Sequence, residues 1–342
     1  MSYSKIRQIP SADEIADLIP AGSDIINLKK LRDVEIKEVF TGKSNKFILI
    51  IGPCSADDEN AVCEYIVKLA AIQERIKDKI LIIPRIYTNK PRTNGEGYKG
   101  MLHQPDPNKD SNMLDGIKAI RRMHIRAIRE SHLFSADEML YPENYPYLSD
   151  LLSYVAVGAR SVENQQHRLV VSGMEVAAGM KNPTGGDISV LLNSIHAAQM
   201  SHTFMYNGWE VNTTGNPLAH AVLRGSVDDA GRNHPNYHYE DLINLAEGFK
   251  ERGFSNPSLV IDASHANSLK KYSEQPRIAL EILQSRQYSE TLKKMIKGIM
   301  IESYLKDGNQ KPSDNEYGKS ITDGCLGWEG SEKLIYNLYE LI

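Results

Sequence analysis

Cysteine is scarce in this chain, which has 342 residues and three cysteines, Cys54, Cys63 and Cys325. So few thiols form no disulfide framework, and we therefore expect a protein of the reducing cytoplasm. Long apolar runs are missing as well. The first residues contain no apolar segment of signal-peptide length, and no window approaches the ~18 apolar residues of a membrane span. We thus predict neither secretion nor a membrane partner.

An excess of positive charge is also missing. The chain has 40 Lys and Arg against 44 Asp and Glu, a net charge of −4, so a broad basic surface that would bind nucleic acid is not predicted. Internal repeats and low-complexity segments are absent too. The 41% of hydrophobic residues is ordinary for a globular protein with a large core.

From Phe47 onward, short apolar runs alternate with longer amphipathic stretches. Continuous apolar runs are typical of parallel strands covered on both faces. Such strand–helix units, eight in about 300 residues, predict an α/β fold, a (β/α)8 TIM barrel over residues 46–342. A doubly wound open sheet is the alternative, although no Gly-x-Gly-x-x-Gly turn follows the first strand. Residues 1–45 are predicted as an N-terminal extension, a helical arm.

The elements are predicted as follows. The strands are Phe47–Ile51, Ile80–Ile86, Leu133–Ala136, Tyr154–Val157, Val176–Met180, His202–Tyr206, Ser258–Ile261 and Ile296–Ile301. The helices are Asn60–Ile76, Leu114–Ser131, Asn144–Leu152, Ile188–Gln199, Tyr239–Glu251, Arg277–Ser285 and Ser331–Leu341.

Four cations crowd the segment Ile83–Lys99, which follows the second predicted strand. Its Pro and Gly residues rule out a continuous helix, so Arg85, Lys90, Arg92 and Lys99 are expected on a rigid loop. Arg offers a planar fork and Lys a compact charge, and both suit phosphates and carboxylates. A solvated surface loop is the alternative interpretation.

Polar side chains follow almost every predicted strand, and in a barrel these positions surround one mouth, where barrel enzymes place their chemistry. Each residue alone has an ordinary structural explanation. Together they form a metal-binding set and a cationic set. Cys54, His265, Glu302 and Asp323 suit a divalent Mn, Fe, Co or Zn ion. The cations are Arg85, Lys90, Arg92, Arg160, Lys181 and Arg224, which exceed what one phosphate needs and predict at least two anionic groups.

The motifs IIGPCS, KPRT, GARSVENQQHR, GMKN, LRG, DASHANS, IES and SITDGCLGWE occur in this order between Ile48 and Trp328. As an ordered set they closely resemble the type I 3-deoxy-D-arabino-heptulosonate 7-phosphate (DAHP) synthases. The resemblance implies a (β/α)8 barrel and a metal-dependent condensation of phosphoenolpyruvate with erythrose 4-phosphate and water. The products would be DAHP and phosphate, in the first step of the shikimate pathway to aromatic amino acids.

The resemblance also implies residue roles. Cys54, His265, Glu302 and Asp323 would ligate the metal. Arg85, Lys90 and Lys181 would surround the carboxylate and reacting centre of phosphoenolpyruvate. Arg160, Arg224 and the backbone of Ala159 would hold its phosphate, with Glu138 and Lys99 nearby. Arg92 and Thr93 would bind the phosphate of erythrose 4-phosphate. Proton transfer by Lys90 or His167 is our hypothesis.

Two alternatives remain at this stage. A 3-deoxy-octulosonate 8-phosphate synthase would use arabinose 5-phosphate, but its members carry an Asn-Arg-Ser-type loop where this chain has KPRT. A non-catalytic barrel that senses a metabolite would not need all four metal ligands. The family resemblance further implies a homo-oligomer, either a dimer or a tetramer.

Two features of this chain differ from similar regulated members of the family. In similar regulated members an aromatic amino acid binds at the N-terminal arm and a hairpin after the sixth strand. Here that hairpin is short, and Glu175 stands where some members have serine. A buried glutamate would disfavour the effector's carboxylate, so we predict weak or absent inhibition by phenylalanine. We also hypothesise that Cys54 and Cys325 form a disulfide when the metal is lost under oxidising conditions.

Overall fold

A computed structural model describes residues 2–254 and 256–342. Its strands in chain order are β1 (Phe47–Gly52), β2 (Ile80–Pro84), β3 (Ser135–Glu138), β4 (Leu152–Val157), β5 (Ala177–Lys181), β6 (Thr203–Tyr206), β7 (Trp209–Asn212), β8 (Ala219–Leu223), β9 (Ser226–Val227), β10 (Asn233–His234), β11 (Leu259–Asp262) and β12 (Ile296–Glu302).

The helices alternate with these strands through most of the chain. They are α1 (Ala12–Leu18), α2 (Ser23–Phe40), α3 (Glu59–Ile76), α4 (Met113–Ser131), α5 (Gln165–Val171), α6 (Ile188–Gln199), α7 (Tyr239–Glu251), α8 (Gln275–Tyr288), α9 (Glu290–Met295) and α10 (Trp328–Leu341). Short 3-10 turns cover Pro142–Tyr147, Tyr272–Glu274 and Pro312–Asp314. None of the helices in the described residues is long and apolar enough to cross a membrane.

Eight parallel strands form one sheet in the order β2-β1-β12-β11-β8-β5-β4-β3. The two ends of this sheet meet, because Arg85 after β2 bridges Ala136 on β3 and the Ile86 N–H donates to the Ala136 carbonyl at 2.9 Å. The sheet therefore closes into a barrel. This confirms the predicted (β/α)8 architecture over the open doubly wound sheet.

Alternate residues of the barrel strands serve two separate cores. On β1, Ile48 and Ile50 point into the barrel, whereas Phe47, Leu49 and Ile51 pack beneath the surrounding helices. Both sets are fully buried, which is why the strands read as continuous apolar runs. The carboxyl ends of all eight strands consequently open on one face, as in other barrels of this kind.

Helix α2 closes the opposite, amino-terminal end of the barrel. Its last turns contribute Ile36, Val39 and Phe40 to the barrel interior. The ring of Phe40 stacks on His220 with 4.2 Å between centroids, and its carbonyl accepts a hydrogen bond from Ser258 Oγ at 3.1 Å. The predicted N-terminal arm is thus helical, and its second helix forms the floor beneath the site.

Short polar side chains fix where several helices begin. Ser11 and Glu14 form a capping box at α1, and the carboxylate of Asp58 accepts the Ala61 N–H at the start of α3. Asn112 and Asp187 cap α4 and α6 in the same way. These caps explain why the predicted starts of α3, α4 and α6 agree with the structure to within a residue.

The predicted sixth strand is wrong. Residues 203–206 pair antiparallel with β7 outside the barrel, and their side chains alternate between exposed and half-buried. The sixth barrel strand is instead β8, which pairs with β5 and β11. Its sequence, AHAVL, is short and interrupted by His220, so it lacked the apolar run that marked the other strands. This change places Arg224 directly after a barrel strand.

One predicted helix is also wrong. A 3-10 turn covers Pro142–Tyr147 in place of the predicted Asn144–Leu152, and Leu152 already belongs to β4. Pro146 lies inside this segment and cannot donate a backbone hydrogen bond, which limits an α-helix there. Two short helices, α5 and α9, were not predicted because each has only six or seven residues and little periodicity.

Candidate active site

Most of the predicted site residues lie around the mouth formed by the strand ends. Glu138, Lys181 and Glu302 are the last residues of β3, β5 and β12, and Arg85 and Arg224 immediately follow β2 and β8. The side chains of Arg85, Lys181 and Glu302 are no more than 3% exposed. Charged groups buried to this degree need partners or ligands, so their contacts define the chemistry of the mouth.

Cys54, Glu302 and Asp323 form a group of potential metal ligands. Their donor atoms lie within 4.8 Å of one another. The fourth predicted ligand, His265, is at the edge of this group, with Nε2 3.7 Å from Glu302 Oε1. One thiol, two carboxylates and an imidazole match the ligand preferences of divalent transition metals, so the donor set fits the metal expected from the sequence.

The ring of His265 is oriented by two neighbours on one side. Its Nδ1 lies 3.0 Å from Asp262 Oδ2 and 2.7 Å from Ser264 Oγ, which itself donates to Asp262 Oδ1 at 2.5 Å. Since Ser264 Oγ already donates its proton to Asp262, it accepts from Nδ1, and the proton of a neutral ring belongs there. Nε2 is left with its lone pair on the side of Glu302, as expected for a metal-binding histidine held by a carboxylate.

Asp262 is a site residue that our sequence analysis did not single out. It is fully buried and lies 3.3 Å from Lys181 Nζ as well as beside His265. Burial alone would raise the pKa of Asp262, but His265, Lys181 and Arg85 outweigh that effect and hold its pKa well below the ordinary value. Asp262 is the last residue of β11, and this position could have identified it as a site residue, because other strand ends also carry functional groups.

Arg85 is locked against the presumed metal ligand Glu302. Its Nη2 donates to Glu302 Oε1 at 2.8 Å and to the Cys54 carbonyl at 3.1 Å, and its Nε donates to the Pro53 carbonyl at 3.0 Å. The guanidinium lies 3.7 Å above the ring centroid of Tyr87. Burial opposes its charge, yet Glu302 and its other neighbours raise the pKa of Arg85 overall.

Lys90 lies against two other presumed ligands. Its Nζ is 2.7 Å from Cys54 Sγ and 2.9 Å from Asp323 Oδ2. Burial opposes the ammonium charge, but Cys54, Asp323 and Glu302 together raise the pKa of Lys90. Burial, followed by the charge of Glu302, raises the pKa of the Cys54 thiol to about 11. The donor group therefore attracts a cation strongly, which is the electrostatic condition for binding a metal.

Arg160 and Arg224 create a second positively charged region. Arg224 is 8% exposed, and its Nη1 is buried without a hydrogen-bond partner in the described part of the chain. Burial and the nearby charge of Arg160 both lower the pKa of Arg224. Two adjacent guanidinium groups, one with an unsatisfied buried donor, are suited to an anion such as phosphate.

The backbone at Gly158, next to Ala159 and Arg160, lies against the carboxylate of Glu138. A Cβ atom at Gly158 would be 2.4 Å from Glu138 Oε1, so this position requires glycine if the carboxylate is to stay in place. Glu138 Oε2 in turn lies 3.8 Å from Lys181 Nζ. The structure thus gathers Glu138, Ala159 and Lys181 on one side of the mouth.

The KPRT segment turns back on itself beyond Lys90. Arg92 Nε donates to the Tyr98 carbonyl at 2.8 Å, and the Lys90 N–H donates to the carbonyl of Lys99 at 3.0 Å. Thr93 is exposed, and Lys99 is half-buried. This fold keeps the loop close to Lys90, and Arg92 is half-buried whereas the neighbouring Thr93 is exposed.

His167 lies at the start of α5. Its Nδ1 is 3.0 Å from Asn164 Oδ1, and its Nε2 is 3.0 Å from the Leu140 carbonyl. Burial is the largest influence and lowers the pKa of His167, although Glu143 and Glu138 act in the opposite direction. Both ring nitrogens are therefore engaged by the protein itself, and proton transfer by His167 stays a prediction.

The predicted effector region differs from our expectation at one point. Glu175 is exposed, so the expected buried glutamate is wrong. It precedes β5 at the amino-terminal end of the barrel, where solvent can accommodate its charge. The hairpin is indeed short, because only Asn207 and Gly208 separate β6 from β7.

A closed barrel with buried cations and a metal-donor group at the carboxyl ends of its strands defines a (β/α)8-barrel enzyme that acts on anionic substrates. Residues 24–335 match the DAHP synthetase I family, and the chain belongs to that family.

Individual relatives agree with this assignment. The chain is 34% identical over 346 residues to the Phe-sensitive phospho-2-dehydro-3-deoxyheptonate aldolase of Escherichia coli K12, covering 99% of this chain and 95% of that one. It is 36% identical to a Trp-sensitive enzyme of the same name from Enterobacter agglomerans, covering 94% and 91%. The structure of the aldolase from Francisella tularensis SCHU S4 matches with a TM-score of 0.92 at 30% identity, covering 100% of this chain and 98% of that one.

Proposed function

We propose that this enzyme condenses phosphoenolpyruvate with erythrose 4-phosphate and water, giving DAHP and phosphate at the entry to the shikimate pathway. The observation that carries the proposal is the contact between the two predicted sets of residues. Arg85 pairs with Glu302, and Lys90 lies against both Cys54 and Asp323. A metal donor group so close to buried cations suits a reaction between an electrophile and an anionic partner.

The cations hold phosphoenolpyruvate at its two ends. Arg85, Lys90 and Lys181 neutralise the carboxylate and the reacting centre. Arg160 and Arg224 bind the phosphate together with the backbone of Ala159, which gives the unpartnered Nη1 of Arg224 an acceptor. Glu138 orients Lys181, and Lys99 adds positive charge near the loop. Burial strengthens the interactions of Arg85, Lys181 and Arg224 because solvent screens them little, whereas Arg160 is exposed.

Cys54, His265, Glu302 and Asp323 would hold a divalent metal, whether Mn, Fe, Co or Zn. When bound, such an ion supplies Lewis-acid polarisation of the aldehyde of erythrose 4-phosphate. Arg92, which is half-buried, and the exposed Thr93 bind the sugar phosphate. Lys90 lies between the two substrates, so we assign proton transfer to Lys90 or His167, with Lys181 as the other catalytic cation.

Condensation requires the methylene carbon of phosphoenolpyruvate to attack that aldehyde, after which water adds to the neighbouring carbon and phosphate leaves. This chain's contribution is to hold the two anionic substrates in contact and to stabilise the charge that develops between them. Preorganised cations that need not move during the reaction serve this purpose.

The experiment compares erythrose 4-phosphate with arabinose 5-phosphate in the presence of phosphoenolpyruvate and manganese. Phosphate release and the mass of the sugar product are measured for each. We expect rapid formation of the seven-carbon product only. Preferential use of arabinose 5-phosphate would identify the octulosonate synthase reaction, and phosphate release no faster than from phosphoenolpyruvate alone would leave only a sensor function. The cytoplasmic location and the dimeric or tetrameric state stay predictions.

A further inference from the structure

Three asparagines form a network between the loops that carry the catalytic groups. Asn182 follows Lys181 at the end of β5, Asn236 lies between β10 and α7, and Asn267 follows His265 after β11. We refer to Asn182, Asn236 and Asn267 as the carboxamide network. Asn182 and Asn267 belong to the motifs GMKN and DASHANS, and neither residue has a role in the proposed reaction.

Asn182 uses its complete hydrogen-bonding capacity, and two of its four bonds hold the backbone of Arg224 and Gly225. Its Oδ1 accepts from the Arg224 N–H at 2.9 Å and from Asn236 Nδ2 at 3.2 Å. Its Nδ2 donates to the carbonyls of Gly225 and Pro183, both at 2.9 Å. The side chain is fully buried, so solvent cannot replace these bonds.

Asn236 and Asn267 hold the same loop from the other side. Asn236 Oδ1 accepts from the Gly225 N–H at 2.7 Å, and the Asn236 N–H donates to Asn267 Oδ1 at 2.9 Å. Asn267 Nδ2 donates to the carbonyls of Asp262 at 2.8 Å and Leu223 at 3.3 Å. The network therefore joins the ends of β5, β8 and β11.

The backbone of Arg224 and Gly225 is thus fixed on both sides. Gly225 adopts a φ of +75°, and a Cβ there would lie 2.7 Å from the backbone nitrogen of Asn267. The loop therefore packs closely against the segment that carries Asn267. By contrast, Nη1 of the Arg224 guanidinium has no partner among the described residues. The network therefore fixes the backbone from which this donor extends.

We propose that the carboxamide network positions Arg224 so that its guanidinium meets the substrate phosphate. Asn182, Asn236 and Asn267 act through Arg224 and are positioning residues for substrate binding. This inference rests on the proposed function, because that function assigns Arg224 to the phosphate of phosphoenolpyruvate. A loosened loop would weaken phosphate binding without altering the KPRT segment or the metal ligands.

The first test compares Asn182→Ala with a matched control, Asn216→Ala. Asn216 is equally buried and also clamps two backbone groups, the Val176 carbonyl and the Leu218 N–H, but it does so at the opposite end of β5 and β8. We expect similar losses of melting temperature. Only Asn182→Ala should raise KM for phosphoenolpyruvate, by about tenfold, with KM for erythrose 4-phosphate and bound manganese unchanged.

A rise in KM of the same size in Asn216→Ala would overturn the proposal, as would an unchanged KM in Asn182→Ala. Should Asn182→Ala fail to fold, Asn236→Ala replaces it. Asn236 is only half-buried, and its loss removes the hydrogen bonds to Gly225 and Asn182 while leaving Asn182's own bond to Arg224.

The second test is a double-mutant cycle with Arg224→Ala, using inorganic phosphate as the calorimetric probe. If Asn182 acts only through Arg224, Asn182→Ala weakens phosphate binding by about tenfold in the parent and has no further effect in Arg224→Ala. Equal factors in both backgrounds would overturn the proposal. Phosphate binding by a parent that does not condense the substrates would overturn only the proposed function. A parent that binds no phosphate would overturn the assignment of Arg224 and the inference with it.

Discussion

Gln275 offers a direct test of how the metal ligand Glu302 is held. Its side chain is fully buried at the start of α8 and forms two hydrogen bonds with the backbone of Glu302. Oε1 accepts from the Glu302 N–H at 2.7 Å, and Nε2 donates to the Glu302 carbonyl at 2.9 Å. The Gln275 carboxamide thereby forms with Glu302 the two backbone hydrogen bonds that a longer β11 would otherwise form. We predict that Gln275→Ala loosens Glu302 and weakens metal binding.

The expected stability loss follows from these two bonds. Gln275→Ala leaves the Glu302 N–H buried without a partner, whereas the Glu302 carbonyl still accepts from the Leu326 N–H at 3.0 Å. Because one unsatisfied buried group costs about 1 to 3 kcal/mol, we expect the free energy of unfolding to fall by about that amount. Loss of a residue that orients a metal ligand typically lowers metal affinity about 10- to 100-fold, and we expect a change near the lower end of that range.

Gln73 provides a matched control. It is also buried and bonds to a strand backbone through both ends of its carboxamide, accepting from the Ile82 N–H at 2.6 Å and donating to the Ile80 carbonyl at 2.8 Å. These contacts lie toward the amino end of β2, away from the metal ligands. Gln73→Ala should therefore lose comparable stability and keep the metal affinity of the parent.

The assay uses urea unfolding of the metal-free proteins, followed by manganese titration with detection of free manganese by electron paramagnetic resonance. The reasoning is refuted if both variants lose metal affinity equally, because the effect would then follow from general destabilisation. It is also refuted if Gln275→Ala loses stability but binds manganese as tightly as the parent.

Four further predictions test other parts of the molecule. Phe40→Ala should lower the free energy of unfolding by about 3 to 5 kcal/mol in urea titrations, since Phe40 is fully buried beneath the barrel; a much smaller loss would contradict the packing of α2. Burial lowers the pKa of His124 and of His220 to about 4, from an ordinary value of 6.5. The unfolded chain therefore takes up protons first, so the stability contributed by these two neutral histidines should be complete above pH 6.5 and be lost between pH 6.5 and 4. His220→Gln should flatten this fall, and an unchanged slope would count against the assignment. Peroxide should oxidise the metal-free protein to a Cys54–Cys325 disulfide, since the Cys54 N–H lies 3.4 Å from Cys325 Sγ and both thiols are free; Cys325→Ser should retain activity longer, and equal rates of loss would exclude this disulfide. Phenylalanine should inhibit weakly or not at all at subsaturating phosphoenolpyruvate because the β6–β7 hairpin is short, and potent inhibition by any aromatic amino acid in initial-rate assays would show the prediction to be wrong.

Apolar runs in the sequence were the strongest indication of the barrel strands. Continuous apolar runs predicted seven of the barrel strands, because parallel strands buried on both faces leave an unbroken pattern. The sixth strand was missed because β8 contains His220, a polar residue that hydrogen-bonds to Tyr154 inside the barrel. His202–Tyr206 was predicted in its place because a hairpin strand of apolar and aromatic residues has similar local preferences.

Site residues that lie at the carboxyl ends of the barrel strands were predictable from the sequence. Arg85, Lys181 and Glu302 could be assigned to one mouth once a barrel was expected. Asp262 was not, because an aspartate beside a histidine has no distinctive spacing. Its importance comes from full burial between His265 and Lys181.

The alternation of strands and helices, the chemistry of the donor groups and the family motifs could all be inferred from the amino-acid sequence. These depend on residue type and local periodicity, which a chain carries before it folds. Only the tertiary structure decided that α2 closes the barrel floor, that β8 is the sixth strand and that Lys90 contacts both Cys54 and Asp323. Those features join residues up to 269 positions apart, such as Cys54 and Asp323. Closure of the sheet brings them together, and no local pattern encodes that distance.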